Sequence, residues 1–252
     1  MYVLENEKEK QRLETQSQIR QYNLEDEISF FSIPAEGRVL DAGCGTGLLS
    51  NKLRGMFSNL NIDGCDLSQD RIKYAKETYK NIHFFEADLS LFKSANKYDF
   101  IMNRYVAHHV GVDIYSDIIK NIKSNLAENG KIGIIDVENN IIGLGTIDPW
   151  LNEKLELIKT EFYGDLNIGR KIPAILRKNG FKNIKLKVEA MYFEGEELLQ
   201  ELDQIEKRLI FAKDFLVSVL GLSDYEKFVD LYMRSAKEDL FFYNKILVQA
   251  DV

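Results

Sequence analysis

The chain has 252 residues, of which 45% are hydrophobic and 11% aromatic, enough for one domain with a large core and room for an appended subdomain. A net charge of −7 gives no global basic field to attract nucleic acid. Two cysteines, Cys44 and Cys65, exclude a disulfide framework or a zinc site of cysteines alone. With no apolar signal core at Met1–Glu7 and no run near the roughly 18 apolar residues of a membrane span, a reducing, cytoplasmic setting without a membrane partner is expected.

Residues 5–31 are charged, lack glycine and proline, and carry Leu13, Ile19, Tyr22 and Leu24 at irregular spacing. They read as one or two helices ahead of a sheet, or as a solvated arm. No strand falls within the first 30 residues, so their removal is expected to leave the fold intact. Ser32–Gly37 is the turn into the first strand, Arg38-Val39-Leu40. That strand runs into Asp41-Ala42-Gly43-Cys44-Gly45-Thr46-Gly47, an acid followed by glycines at every second position. Glycine permits a left-handed turn and lets a ligand lie on the backbone. A helix over about 48–57 follows, and its N-terminal amides favour negative groups. The turn is therefore a nucleotide-type binding loop, and its D-x-G-x-G-x-G spacing differs from the G-x-G-x-x-G of dinucleotide folds.

Asn61–Leu67 is a second strand ending in Asp66, and Ser68 can cap the next helix, with Ile72 and Ala75 inward. Asp66 lies about 20 residues past the loop, where an acid accepts ribose hydroxyls. Ile82–Leu89 is a third strand closed by Asp88, with His83 structural. Tyr98–Arg104 is the fourth. Tyr105–Val110, with His108 and His109, crosses the carboxyl end of the sheet, the edge where open parallel sheets bind ligands. Asp113 can cap a helix that stops at Asn129-Gly130. Lys131–Glu138 is a nearly all-apolar fifth strand, as a buried parallel strand should be.

Residues 139–170 are irregular, and Ile172–Asn179 is a helix stopped by Gly180. Phe181–Val188 is a strand whose lysines read as a solvated face protecting a sheet edge. Glu197–Leu220 has a helical period and ends at Gly221. Ser223–Glu226 reads as a capping box. Phe242–Gln249 is the last strand. Strands alternating with helices imply βαβ units.

Taken together, the glycine turn, Asp66, Asp88, the Tyr98–Arg104 strand and the Asn129-Gly130 approach to strand five resemble the motif order of class I S-adenosylmethionine (SAM) dependent methyltransferases. The resemblance covers roughly residues 35–140. It implies an α/β fold: a seven-stranded, mostly parallel, Rossmann-like sheet with helices on both faces, its last two strands antiparallel. Here some 50 residues, largely helical, separate those two strands, where the family's link is short. One methyltransferase domain over 1–252 is expected. Its parts are an N-terminal helical cover at 1–31, a SAM-binding core at 35–140 and a helical insertion at 194–240. The pattern Tyr2, Arg12-Leu13, Gln16 resembles N-terminal segments of some small-molecule members. The resemblance implies SAM as cofactor, held by Asp41, Gly43, Cys44, Gly45, Gly47, Asp66, Leu67, Ala87, Asp88, Leu89, Asn103 and Arg104.

The sulfonium of SAM makes its methyl group an electrophile, so transfer needs an in-line nucleophile and a dry site. A base is needed only where the acceptor must lose a proton. His108 and His109 are the candidates, each also readable as packing, with Glu138, Asp148 and Tyr163 behind them. Asn103-Arg104-Tyr105-Val106 lacks the Asn/Asp-Pro-Pro-aromatic tetrad of base amino-methylases, and neither cysteine is placed for a pyrimidine C5-methylase. Asp136 and Glu138 are expected on opposite strand faces, which gives a metal no support. A metal-free methylase of a small or medium-sized acceptor remains, not acting on nucleic acid, with a second copy of the chain as a candidate partner in a homodimer. The alternative is a SAM-binding protein that does not methylate or that regulates. A nicotinamide enzyme is disfavoured by the loop spacing.

Overall fold

The computed structural model describes residues 19–140, 142–238 and 240–252. The expected roles of Tyr2, Arg12, Leu13 and Gln16 lie outside the described residues. Five parallel strands form the body of the sheet: β1 (Gly37–Ala42), β2 (Leu60–Asp66), β3 (His83–Glu86), β4 (Tyr98–Arg104) and β5 (Leu126–Glu138), in the order 3-2-1-4-5. The order reverses at β1, so the glycine turn leaves the sheet at its topological switch point. β8 (Leu240–Asp251) runs antiparallel beside β5, and β7 (Lys182–Tyr192) runs antiparallel beside β8. The seven expected strands are present. A two-residue β6, Leu144–Gly145, is added where it pairs with the start of β8.

Adjacent residues on the strands serve opposite layers, as a pleated strand requires. Leu40, Ala42, Ile132 and Ile134 pack with α4 (Val112–Asn125) and α6 (Ile172–Lys178). Val39, Phe100, Met102 and Ile135 pack with α1 (Leu24–Ser29), α2 (Leu48–Met56) and α3 (Gln69–Thr78). Local signals start these helices: the Asn23 side chain accepts from the Glu25 and Asp26 amides, and Ser68 Oγ from the Arg71 amide.

A third apolar cluster lies at the carboxyl edge. It joins Val137, Met191, Phe193, Phe241 and Tyr243, at strand ends, to α5 (Pro149–Glu161), α7 (Gly195–Phe211), α8 (Lys213–Leu220) and α9 (Leu222–Glu238). Ile19 and Tyr22 belong to it too.

Several local expectations are corrected. The long 197–220 helix is two helices, broken at Ala212 (φ −85°, ψ 9°). Gly221 at φ +83° starts α9 directly and its carbonyl accepts the Tyr225 amide, so Ser223–Glu226 lies inside the helix rather than capping it. Gly111 occupies the N-cap of α4 and Asp113 its first turn. α4 ends at Asn125, and β5 begins at Leu126 and passes through Asn129-Gly130.

The N-terminal segment is also more than a removable arm. Ile19, Tyr22, Leu24, Ile28 and Phe31 are all buried. At about 1.5–3 kcal/mol per buried large apolar side chain, Ile19, Leu24 and Ile28, which fall within the first 30 residues, contribute on the order of 5–9 kcal/mol, comparable to the net stability of a whole domain.

Candidate cofactor and acceptor site

The loop after β1 turns on three left-handed glycines: Gly43 at φ +81°, Gly45 at +53° and Gly47 at +84°. Each is required for a different reason. A Cβ on Gly43 would lie 2.4 Å from Val106 Cγ2, and one on Gly47 2.7 Å from Phe84 Cζ. A Cβ on Gly45 would point into open space, so that glycine leaves a cradle beside the backbone. The Gly43 and Cys44 amides both donate to the Cys65 carbonyl (2.8 and 2.9 Å), which ties the turn to the end of β2. The Gly45 amide donates to Asp66 Oδ2 (2.8 Å), and the Ser68 amide to Asp66 Oδ1 (2.9 Å). Each carboxylate oxygen keeps a lone pair for a further donor.

Asp88 sits one strand over, exposed, its Oδ1 accepting from the Ser90 amide and hydroxyl. The Ala87 amide donates to the Asp66 carbonyl (2.9 Å). Leu67 is 69% exposed beside Asp66, whereas Leu89 is buried in the core. The loop, Asp66, Leu67, Ala87 and Asp88 thus line one continuous edge.

The other expected residues serve that edge from behind. Asp41 is buried under the turn and accepts from Ser50 Oγ (2.6 Å). Burial pushes its carboxyl up to about 6, against the Ser50 bond and the Arg104 charge. Asn103 is buried, its Nδ2 donating to the Ala42 carbonyl (2.7 Å) and its Oδ1 accepting from Tyr115 (2.8 Å). That spends its side chain on holding β1, β4 and α4 together. Burial drives both thiols well up, which keeps Cys44 and Cys65 protonated and poor nucleophiles.

Arg104 reaches Glu27 on α1 through Nε (2.7 Å) and a second nitrogen (3.4 Å) and lies 4.1 Å over the Tyr105 ring. Glu27 is 1% exposed and also receives Tyr105 OH (3.3 Å) and Lys245 Nζ (3.3 Å). Tyr105 holds a left-handed backbone, φ +56°, uncommon for a residue with a side chain. Glu27 was missed from the sequence: Leu24-Glu25-Asp26-Glu27 looks like an ordinary solvated helix start, and nothing local marks its third acid as buried.

His108 and His109 occupy a 3-10 turn over the end of β5, their ring centroids 3.9 Å apart. His108 is buried and its Nδ1 lies 2.7 Å from Asp136 Oδ1. His109 is half-buried. Asp136 and Glu138 share a strand face, as residues two apart must, which corrects the expectation that they oppose. Each has its own partners: Asp136 takes His108 and the Ala107 amide, Glu138 takes Arg170 and Asn244. Burial raises Glu138, but the bonds from Arg170 and Asn244 outweigh it and hold the carboxyl below its usual range. Among the described residues no group of three His, Cys, Asp or Glu converges as metal ligands. His83, read from sequence as a structural residue, is exposed on β3 and lies 3.1 Å from Asp63. A hollow lined by Gly37, Asn61, Asp99 and Lys131 lies at the opposite, amino-terminal edge of the sheet, away from all of these groups.

A reversing parallel sheet with a D-x-G-x-G-x-G turn at its switch point, an acid closing the next strand and an antiparallel last strand is the class I, Rossmann-like methyltransferase fold. The chain belongs to the methyltransferase domain family, whose model matches residues 16–186. Among curated relatives, malonyl-[acyl-carrier protein] O-methyltransferase 2 of Ilyobacter polytropus is 27% identical over 165 residues, 56% of this chain and 64% of that protein. The chain thus spans less than two thirds of that relative's length. Two solved structures share the fold at lower identity. The cyclopropane synthase MmaA2 of Mycobacterium tuberculosis has a TM-score of 0.61 at 17% identity, over 92% of this chain and 84% of its own. Phosphoethanolamine N-methyltransferase 2 of Haemonchus contortus, solved with phosphomonomethylethanolamine and S-adenosylhomocysteine, scores 0.56 at 18%, over 96% and 52%. Among the described residues, no helix is long and apolar enough to cross a membrane.

Proposed function

We propose that the protein transfers the methyl group of SAM directly, without a metal, to a small or medium-sized acceptor in the cytoplasm. The observation that carries this reading is the Gly45 cradle with its amide held by Asp66. SAM supplies an activated methyl on a sulfonium. The chain's own part is to hold and orient: Asp66 toward the ribose hydroxyls, Asp88 and its neighbouring backbone toward the adenine, the glycine turn toward the amino-acid portion. Asp41, Asn103 and Arg104 keep that edge in shape from beneath and beside it. Family membership and the relatives' names support the cofactor and the reaction class.

Residues 19–31 and α7–α9 are assigned as the acceptor-side cover, because Tyr22, Tyr105, Tyr243 and the apolar faces of those helices share one cluster at the carboxyl edge. A closed, apolar cover excludes water and orients the acceptor. His108 and His109 are assigned to any proton the acceptor must lose. A carboxylate acceptor, as the malonyl relative's name suggests, is already ionised and needs neither.

The test is transfer of tritiated methyl from SAM to a metabolite extract, with calorimetry of S-adenosylhomocysteine binding beside it. Binding with labelled product supports methyl transfer. Binding without label on any acceptor favours the non-methylating or regulatory alternative, and no binding removes the cofactor assignment.

A further inference from the structure

β7 closes the sheet on the side away from β3 and, among the described residues, pairs only with β8. It is 11 residues long, a length at which an open edge is normally blunted. Its two faces differ. Residues two apart share a face, so Ile184, Leu186, Val188, Ala190 and Tyr192 form one row. Leu186 is 52% and Val188 54% exposed, and the row continues into Tyr192 and its β8 neighbour Phe242, also exposed. The opposite face carries Lys185, Lys187 and Glu189, with Lys187 Nζ 2.5 Å from Glu189 Oε1. The lysines read from sequence as guards of this edge therefore leave its other face apolar.

We infer that β7 pairs antiparallel with β7 of a second copy about a two-fold axis through Val188. The strand is self-complementary in that register. Val188 meets the partner's Val188, Leu186 the partner's Ala190 and Ile184 the partner's Tyr192, so the two apolar rows adjoin as cross-strand pairs on one face. On the other face Lys187 meets the partner's Glu189, twice by symmetry. Neighbouring registers fail on charge or lose the pairing. Centring on Lys187 or Glu189 opposes like charges directly, and centring on Leu186 sets Lys185 against the partner's Lys187, arrangements that destabilise a strand pair. Centring on Ala190 leaves both Lys187 and Glu189 without an opposite charge, whereas the Val188 register leaves only Lys185 so placed, opposite the partner's Met191. A second copy is thus the occupant that the charge and apolar patterns fit together. The glycine turn follows β1, with β8, β5 and β4 lying between it and β7, so this inference stands or falls independently of the cofactor assignment.

The test uses the full chain. Sedimentation equilibrium should give a dimer. Val188→Cys should form an intermolecular disulfide on mild oxidation, because directly opposed antiparallel residues lie about 4.5–5.5 Å apart, within disulfide range. Leu186→Cys should cross-link far less, since four residues of offset set the two sulfurs' backbones roughly 13 Å apart. Cys44 and Cys65 are buried and do not compete. Lys187→Glu should weaken the dimer about tenfold, because two charge pairs turn repulsive, whereas Lys187→Arg, which keeps the charge, should leave association unchanged. A monomer at the highest concentration reached overturns the inference. So does cross-linking at 186 equal to that at 188, or a dimer indifferent to Lys187→Glu.

Discussion

Asp136 Oδ1 lies 2.7 Å from His108 Nδ1, and its Oδ2 accepts the Ala107 amide at the same distance. One buried carboxylate therefore fixes both the ring and the backbone of the turn that crosses the end of β5. Such a bond sets the imidazole's tautomer and orientation. If a histidine acts on the acceptor, His108→Ala or His109→Ala lowers turnover while SAM affinity measured by calorimetry is kept. Asp136→Asn should then lower turnover too, and it should cost about 1–3 kcal/mol of stability in denaturant melts, since it leaves buried donors without an acceptor. Full turnover on the true acceptor in the double histidine variant makes both rings structural.

Asp66 is the acid at the centre of the cofactor edge. Asp66→Ala removes both the expected ribose acceptor and the bond that fixes the Gly45 amide. Affinity for SAM and its demethylated product should fall by about 1–3 kcal/mol, the scale of hydrogen bonds to charged groups. Unchanged affinity in calorimetry takes Asp66 out of the site.

Asp41 makes a pH prediction with a definite sign. Burial raises its folded pKa from 3.8 to about 6. Below pH about 4 both folded and unfolded chains hold the proton, and there is no penalty. Between about 4 and 6 the unfolded chain has released a proton that the folded one retains, so stability falls as pH rises. Above 6 the loss is complete, on the order of 3 kcal/mol at 1.36 kcal/mol per unit. Asp41→Asn lacks this group, so its stability relative to the parent should improve between pH 4 and 7 by up to that amount. Parallel stability-versus-pH curves for the two proteins would falsify the assignment.

Glu27 ties α1 to the site. Its carboxylate faces Arg104, Tyr105 and Lys245, and Lys245 is also held by Glu189 (3.1 Å) and the Gln21 carbonyl (2.8 Å). Breaking one partner of a buried ion pair typically costs about 3–5 kcal/mol. Glu27→Gln should lower the thermal midpoint by several degrees, while Glu25→Gln, on the exposed side of the same helix, should not. Equal effects of the two substitutions would show that Glu27 is not a clamp.

Much was legible in the chain itself. The D-x-G-x-G-x-G spacing, the acids at strand ends and the apolar runs between them fix β1 to β5 and the glycine turn, because these depend on local backbone freedom and on periods of two and 3.6 residues. Asp66 could be placed because it closes β2, and Asp88 because it follows the end of β3, which stops at Glu86 rather than running on to Leu89 as the sequence suggests. What only the tertiary structure decided are pairings between residues far apart in sequence. Glu27 with Arg104 and Lys245, and His108 with Asp136, look like solvated charges or lone histidines until the fold brings them together, since burial of a polar group is a property of what packs over it. The place of α7–α9 at the carboxyl edge is likewise set by which apolar surface the finished sheet leaves uncovered. So is the exposed row on β7, whose alternation was visible in Phe181–Val188 but whose openness depends on no further strand pairing beside it among the described residues.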